Sequence, residues 1–274
     1  MRFPEGCDRA LTLSYDDGVE QDIRLMEILD RHGIKATFNL NSGVYAREGK
    51  VYEAGTIHRR LSESAVTKVY SNPNHEVAVH SLTHPHLEVM SPAAIAYETI
   101  KDRENLEAQF GTIVRGMAYP FGTFNDTVVE ALKSCGIVYA RTTVSTEKFS
   151  LPSDWLRLPA TCHHKNPQLM TLAESFVTKK VRDNPILFYL WGHSYEFEAD
   201  DNWNVIEEFA AYMSGRENVW YCTNIELYEY MEDYKRLVFS ADGSKIYNPT
   251  CRTLYFTLNG KDALSIAAGE YFTF

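Results

Sequence analysis

Nowhere in this sequence does an apolar run approach the roughly 18 residues that a membrane-crossing helix needs, so a helical span is excluded. Cysteine is scarce and scattered: Cys7, Cys135, Cys162, Cys222 and Cys251 are odd in number, far apart and without a Cys-x-x-Cys pair. That pattern argues against both a disulfide framework and a thiolate zinc site, and the five are expected as reduced, mostly buried thiols. Positive charge is also short, with 27 Lys and Arg against 37 Asp and Glu and a formal charge of −10. Lacking a basic block, the chain is expected to bind neither nucleic acid nor anionic membranes; neutral or cationic small molecules and sugars remain. Met1-Arg2-Phe3-Pro4-Glu5 has no apolar stretch behind a basic start, so no secretory signal is read and the expected location is the cytoplasm.

What is present suffices for a large core: 274 residues, 45% hydrophobic and 13% aromatic, can bury one barrel-sized domain. Short β-rich runs alternate with amphipathic stretches, the pattern of βα units around a parallel sheet or barrel. Strands are expected at residues 10–15, 35–40, 76–79, 116–119, 137–141, 156–160, 186–191 and 218–222. Helices are expected at 21–32, 92–110, 126–134, 167–179, 205–213 and 225–234, with proline opening the second and fourth, where its missing N–H costs nothing. Near Lys235 the text becomes alternating and aromatic, with Gly243, Asn259-Gly260 and Gly269 as turn signals. Residues 1–234 are therefore read as an α/β barrel domain and 235–274 as a small antiparallel β extension packed on it.

Three motifs follow strand-like runs. Asp16-Asp17-Gly18 closes the first strand, and an Asp-Gly turn alone would account for it. His80 and His84 have a spacing that can clamp a metal within one turn, although many such pairs bind nothing. His193 follows the apolar run 186–191, where a single histidine is usually structural. Together they say more, because the C-terminal ends of parallel barrel strands meet on one face. Two neutral imidazoles and a carboxylate bind a borderline divalent ion and leave positions open; a second carboxylate and an opposing histidine complete a base and an acid.

These residues resemble the polysaccharide deacetylases of carbohydrate esterase family 4, the NodB homology domain. The family's Thr-Phe-Asp-Asp-Gly motif appears as Ser14-Tyr15-Asp16-Asp17-Gly18, and its His-Ser/Thr-x-x-His motif as His80-Ser81-Leu82-Thr83-His84. The resemblance implies a distorted (β/α) barrel of about seven units over residues 11–234. It also implies Asp17, His80 and His84 as metal ligands, Asp16 as general base and His193 as general acid. The ion expected is divalent, zinc first, with cobalt, nickel or iron as alternatives. The substrate implied is an N-acetylated sugar or oligosaccharide, with O-acetyl removal as a variant.

The sequence departs from the family pattern at three motifs. In Ala118-Tyr119-Pro120-Phe121-Gly122, Ala118 stands where the family has the arginine that orients the base; Arg115 or Arg157 is a candidate replacement, the other reading being that the base is oriented differently. The Phe121 amide would still serve an oxyanion, since that role needs no side chain. The fourth motif has two counterparts, Asp154-Trp155 by letter and His163-His164 by place, and of the two histidines at most one is expected to face the site. Trp191 replaces the leucine two residues before His193, a swap that suggests a tighter or a sugar-stacking pocket. Tyr119, Phe121, Trp155, Trp191 and Tyr195 are read as pocket-shaping aromatics, and core packing is the competing reading for each. The acidic run Glu196, Glu198, Asp200, Asp201 is read as a solvated loop or an attractor for an amine. Two other functions stay open: the same metal site acting on another amide or cyclic ureide, and a carbohydrate-binding protein without catalysis.

Overall fold

The structure is a computed structural model and describes residues 1–258 and 263–274; the turn expected at Asn259-Gly260 lies outside the described residues. In chain order the barrel comprises β1 (Arg9–Asp16), α1 (Gln21–Arg31), β2 (Thr37–Leu40), α2 (Glu63–Tyr70), β3 (Glu76–Val79), α3 (Pro92–Phe110), β4 (Gly116–Ala118), α4 (Asp126–Ser134) and β5 (Tyr139–Ser145). It continues with β6 (Leu158–Ala160), β7 (Cys162–His163), α5 (Leu169–Thr178), β8 (Ile186–Gly192), α6 (Tyr195–Ala199), α7 (Asn204–Met213), β9 (Val219–Tyr221) and α8 (Asn224–Lys235). The helices begin and end where their local chemistry permits. Ser91 and Asn125 accept the free N–H groups opening α3 and α4, Gly111 in the left-handed region ends α3, and Thr223 with Glu226 forms a capping box on α8.

Every residue of β1 and β8 is buried, as parallel strands covered on both faces require. β1 pairs in parallel with β2 on one side and β8 on the other, and the order continues through β3, β4 and β5 to β6. The ring closes through residues 158–163: β6 pairs with β5, β7 pairs with β8, and the Thr161 N–H between them donates to the Tyr189 carbonyl at 2.8 Å. With β6 and β7 counted as one broken strand, the ring is the distorted (β/α) barrel expected. β9 pairs with the lower part of β1, from Arg9 to Leu11.

Side chains alternate along a strand, and this alternation sorts β1 into two roles. Leu11, Leu13 and Tyr15 join Leu25, Ile28 and Leu29 of α1 in the outer core. Thr12, Ser14 and Asp16 point into the ring, where Asn224, Asn39 and Arg141 meet them. The barrel interior is therefore polar, and its chemistry collects at the C-terminal strand ends.

At the opposite end Glu76 accepts from the Tyr139 hydroxyl at 2.6 Å, the Thr37 hydroxyl at 2.8 Å and the Ile225 N–H at 2.9 Å. Burial outweighs these bonds and pushes its carboxyl up to about 7. A carboxyl whose pKa is raised on folding stabilises the fold below its unfolded pKa and loses that contribution as pH rises through the folded value. Thermal melts should therefore show the native protein losing more stability between pH 6 and pH 8 than Glu76→Gln does; equal losses would mean that Glu76 is already ionised at pH 6.

After α8 the chain forms two antiparallel sheets. One is β10 (Val238–Phe239), β11 (Lys245–Tyr247) and β14 (Tyr271–Thr273); the other is β12 (Leu254–Thr257) with β13 (Ala263–Ile266). Leu254, Phe256 and Ile266 share a second core with Phe3, Leu227, Tyr230 and Met231, so the extension packs against the N-terminus and α8. All five cysteines are free and four are buried, Cys251 being exposed. Among the described residues no helix is long and apolar enough to cross a membrane.

Candidate active site

The turn after β1 and the loop after β3 bring Asp17, His80 and His84 together, with one ligand atom of each within 4.8 Å of the others. The backbone is bent to do so: Asp17, Ser81, His84 and Phe121 are four of the seven described non-glycine residues with positive φ. Such conformations cost about 1–3 kcal/mol each and persist where surrounding structure imposes them. His80 is buried, and its Nδ1 donates to the Ala118 carbonyl at 2.8 Å, which leaves Nε2 with a free lone pair facing the site. Burial lowers its pKa, and burial together with neighbouring His80 pushes His84 down to about 4, so both rings are neutral. Asp17 is ionised: burial opposes it most, but His58, His80 and Arg60 hold its carboxyl well below the usual range. His58 Nε2 lies 3.2 Å from one of its oxygens and Arg60 Nη2 3.2 Å from the other. Two neutral imidazoles and a preformed carboxylate make a donor set that fits a borderline divalent cation.

Asp16 is buried beside this triad. Its Oδ1 accepts from Asn39 Nδ2 at 2.8 Å, and its Oδ2 accepts from Arg141 Nη2. Burial is the largest influence and raises its pKa, yet Arg141, His80 and His193 outweigh it and the carboxyl is held low. Arg141 corrects the expectation for the vacant arginine position. Arg115 instead pairs with Glu229 at 2.6 Å, and Arg157 pairs with Asp126 and Asp154 at 2.7 Å on the surface. Arg141 lies on β5 directly in register with Ala118 on β4, so the guanidinium that meets Asp16 comes from the strand beside the expected one. An arginine inside the run Val138-Tyr139-Ala140-Arg141 was the signal available in the sequence, since a charge in a buried strand needs a partner.

His193 stands at the end of β8 with Nε2 3.8 Å from Asp16 Oδ2. Its Nδ1 donates to Glu196 Oε2 at 3.3 Å. The same oxygen lies 3.1 Å from His163 Nε2 and 3.3 Å from His164 Nε2, and Lys165 Nζ sits 3.3 Å from Oε1. Glu196 is thus turned inward, contrary to its reading as a solvated loop residue, whereas Glu198 pairs with Arg59 at 2.7 Å. Both His163 and His164 reach the cluster, where one was expected, because β7 ends between them and the alternation of an extended strand no longer applies.

The expected aromatics divide. Phe121 is half exposed, its ring stacked on His86 at 3.9 Å and edge-on to His84 at 4.4 Å. Tyr195 lies 4.9 Å from His58 and 5.2 Å from His193. Trp191 is buried with its ring 4.4 Å from the Arg141 guanidinium and 4.4 Å from His163, so it covers the arginine and offers no open stacking face. Tyr119 is packed, its hydroxyl donating to the Leu156 carbonyl at 2.7 Å and its ring stacked on Phe124. Trp155 precedes β6, at the N-terminal end of that strand, with its ring on Tyr228 and its N–H donating to Glu232 at 3.1 Å. The structure does not bring it to the site, and Asp154 beside it caps Leu156 and pairs with Arg157.

The sequence profile of the polysaccharide deacetylase family matches residues 4–140, a span that contains Asp16, Asp17, His80, His84 and Phe121 but ends before Arg141, His193 and Glu196. Peptidoglycan-N-acetylglucosamine deacetylase PgdA of Listeria monocytogenes is 27% identical over 143 residues, 51% of this chain and 27% of that protein. A chitooligosaccharide deacetylase of Bradyrhizobium is 26% identical over 152 residues, 54% of this chain and 60% of the relative. Neither match reaches two thirds of the relative's own length. Among solved structures, a Mycobacterium smegmatis protein assigned as a polysaccharide deacetylase superposes with a TM-score of 0.60 at 15% identity, covering 86% of this chain and 94% of that one. A family 4 acetyl xylan esterase from Clostridium thermocellum, in complex with cobalt, has a TM-score of 0.50 at 15% identity, with 80% and 90% covered. These last two likenesses concern the fold.

Proposed function

The chain belongs to the polysaccharide deacetylase family, and from that premise we propose that it is a metal-dependent hydrolase removing N-acetyl groups from a sugar or oligosaccharide. The observation that carries the reading is the convergence of Asp17, His80 and His84 beside a base and an acid that face each other. Asp17, His80 and His84 would hold the ion, zinc first by donor type. When bound, such an ion supplies Lewis acidity, polarising a carbonyl and lowering the pKa of a water from 15.7 towards about 7.

The protein groups do the rest. Asp16, kept ionised and aimed by Arg141 and Asn39, takes a proton from the attacking water as its oxygen bonds to the acetyl carbon. The carbonyl becomes a tetrahedral oxyanion, for which the Phe121 N–H is the proposed donor; one such donor is worth about 2.7–4 kcal/mol. His193 gives its Nε2 proton to the nitrogen as the C–N bond breaks, and the electron pair of that bond leaves with the amine. The products are acetate and a free amino sugar. The 3.8 Å between His193 Nε2 and Asp16 Oδ2 lets the proton gained by one carboxylate return to the imidazole, restoring both groups. The exposed Phe121 ring and the Tyr195 ring flank the opening and are the surfaces proposed for the sugar.

Metal analysis of the purified protein, with acetate release from N-acetylglucosamine oligomers measured before and after chelation, tests this reading. One equivalent of metal and chelator-sensitive acetate release are expected. Bound metal without acetate would overturn the substrate assignment, and absence of metal would overturn the mechanism.

A further inference from the structure

A second convergence of ionisable groups surrounds His193 and is absent from the mechanism above. Resting on the deacetylase reading, we propose that Glu196 is a positioning residue that holds His193 with Nδ1–H towards itself and Nε2 towards Asp16, and that His163, His164 and Lys165 hold Glu196 in place. Glu196 lies three residues after His193, on the first turn of α6, so Oε2 accepts both the ring Nδ1–H and the backbone N–H of His193, each at 3.3 Å. The backbone contact holds the carboxylate over residue 193, and the ring contact turns Nδ1 towards it. His193 Nε2 is then the nitrogen left to face the cleft.

The groups around the carboxylate come from three elements. His163 on β7, with His164 and Lys165 after it, approaches from one side, and His193 at the end of β8 from another; Lys165 also pairs with Asp200 at 2.7 Å beyond α6. Asp16 on β1 faces the far side of the His193 ring. His164 is buried against β8, where a β-carbon at residue 192 would fall 2.0 Å from its Nδ1; only glycine at that position lets the ring lie there. Among the described residues neither of its nitrogens has an aligned hydrogen-bond partner, and its Nε2 lies 3.3 Å from Glu196 Oε2.

Ligand atoms of His163, His193 and Glu196 also fall within 4.8 Å of one another, which raises the alternative of a second metal. The His163 tautomer argues against it. Its Nδ1 accepts the Lys165 backbone N–H at 3.1 Å, so the neutral ring carries its proton on Nε2, the nitrogen 3.1 Å from Glu196. A proton occupies the lone pair that a cation would need. Glu196 is therefore a carboxylate facing N–H groups of His163, His193 and Lys165, with the His164 ring packed beside it. Its electrostatics agree: burial opposes ionisation most, but the three histidines hold Glu196 far below the usual carboxylate range. Burial likewise works most strongly against the charged form of His193, yet Glu196 and Asp16 outweigh it and raise its pKa.

The test is Glu196→Gln, which keeps shape and removes charge, assayed on an N-acetylglucosamine oligomer and on 4-nitrophenyl acetate. An amide nitrogen must gain a proton to leave, whereas 4-nitrophenolate leaves without one. General acid catalysis contributes about 10²–10⁴-fold, so kcat on the amide should fall roughly tenfold or more with KM changed less than about threefold. Turnover of the aryl ester should change little, metal content not at all, and the alkaline limb of kcat/KM on the amide should move to lower pH. Independently of any substrate, ¹⁵N spectra should show neutral His193 as the Nδ1–H tautomer in the native protein and a shift towards Nε2–H in Glu196→Gln. Equal losses on both substrates, an unchanged tautomer, or a second metal equivalent lost from the variant would each overturn the proposal. If the native protein releases no acetate from the amide, the deacetylase reading fails, and the tautomer measurement still decides the role of Glu196.

Discussion

His80→Ala and Asp17→Ala are each expected to abolish metal binding and acetate release together while leaving a folded protein. Removing one of three ligands from a site whose other two are neutral imidazoles or a lone imidazole and carboxylate leaves too few donors to retain an ion. The Lewis-acid contribution lost is several kcal/mol, on the order of 10³ in kcat. His80 is the stricter test, because its Nδ1 bond to the Ala118 carbonyl fixes the ring with Nε2 as the nitrogen available to an ion. Metal content by elemental analysis and turnover in the same preparation decide the matter. A His80→Ala protein that keeps its metal would remove His80 from the ligand set, and one that loses metal but keeps turnover would separate the ion from catalysis. The Ala118 carbonyl loses its partner, a cost of about 1–3 kcal/mol, so the variant's fold is checked by circular dichroism in the same preparation.

Arg141→Met should produce the largest loss of stability of any substitution at the site. Arg141 and Asp16 are both almost wholly buried, and removing one partner of such a pair leaves an uncompensated charge, at a cost of about 3–5 kcal/mol. The carboxyl of Asp16 would also lose the cation that keeps it low, and so take up a proton and cease to act as base near neutral pH. In the Asp16→Asn background the same Arg141→Met change should cost clearly less, because no anion remains to be stranded. Urea unfolding of the two single variants and the double variant measures this coupling. Additive losses would mean that Arg141 acts through Trp191 and the strand, and not through Asp16. Asp16→Asn by itself should keep its metal and lose turnover, which separates the base from the ligand set next to it in sequence.

Much of the site could be read directly because each motif is local. Asp16 and Asp17 sit at the end of one strand, and His80 and His84 lie within a single loop after another, so each motif can be matched to a family pattern without knowing the fold. Helices α3 and α4 were legible to the residue because serine or asparagine caps open them and apolar periodicity fills them. The short α2 and α6 were missed: α2 spans only the eight residues Glu63–Tyr70 and α6 is five residues long, too short to show a period. β7 escaped for the same reason, being two residues that exist only because the barrel must close between β5 and β8. Trp155 was misplaced because an Asp-Trp pair looks the same at either end of a strand.

The sequence by itself determined the parallel α/β architecture, and through its likeness to a family it put forward Asp16, Asp17, His80, His84 and His193 as the residues to test, since each lies in a short motif directly after a strand. Tertiary structure alone decided what holds those groups. Arg141 reaches Asp16 from 125 residues away because β1 and β5 face each other across the ring, and Glu196 is a half-buried partner of His193 because His163 of β7, with His164 and Lys165 after it, brings two imidazoles and an ammonium to it. Charge pairing acts over a few ångströms of space, and sequence separation carries no record of which strands a closed barrel sets face to face.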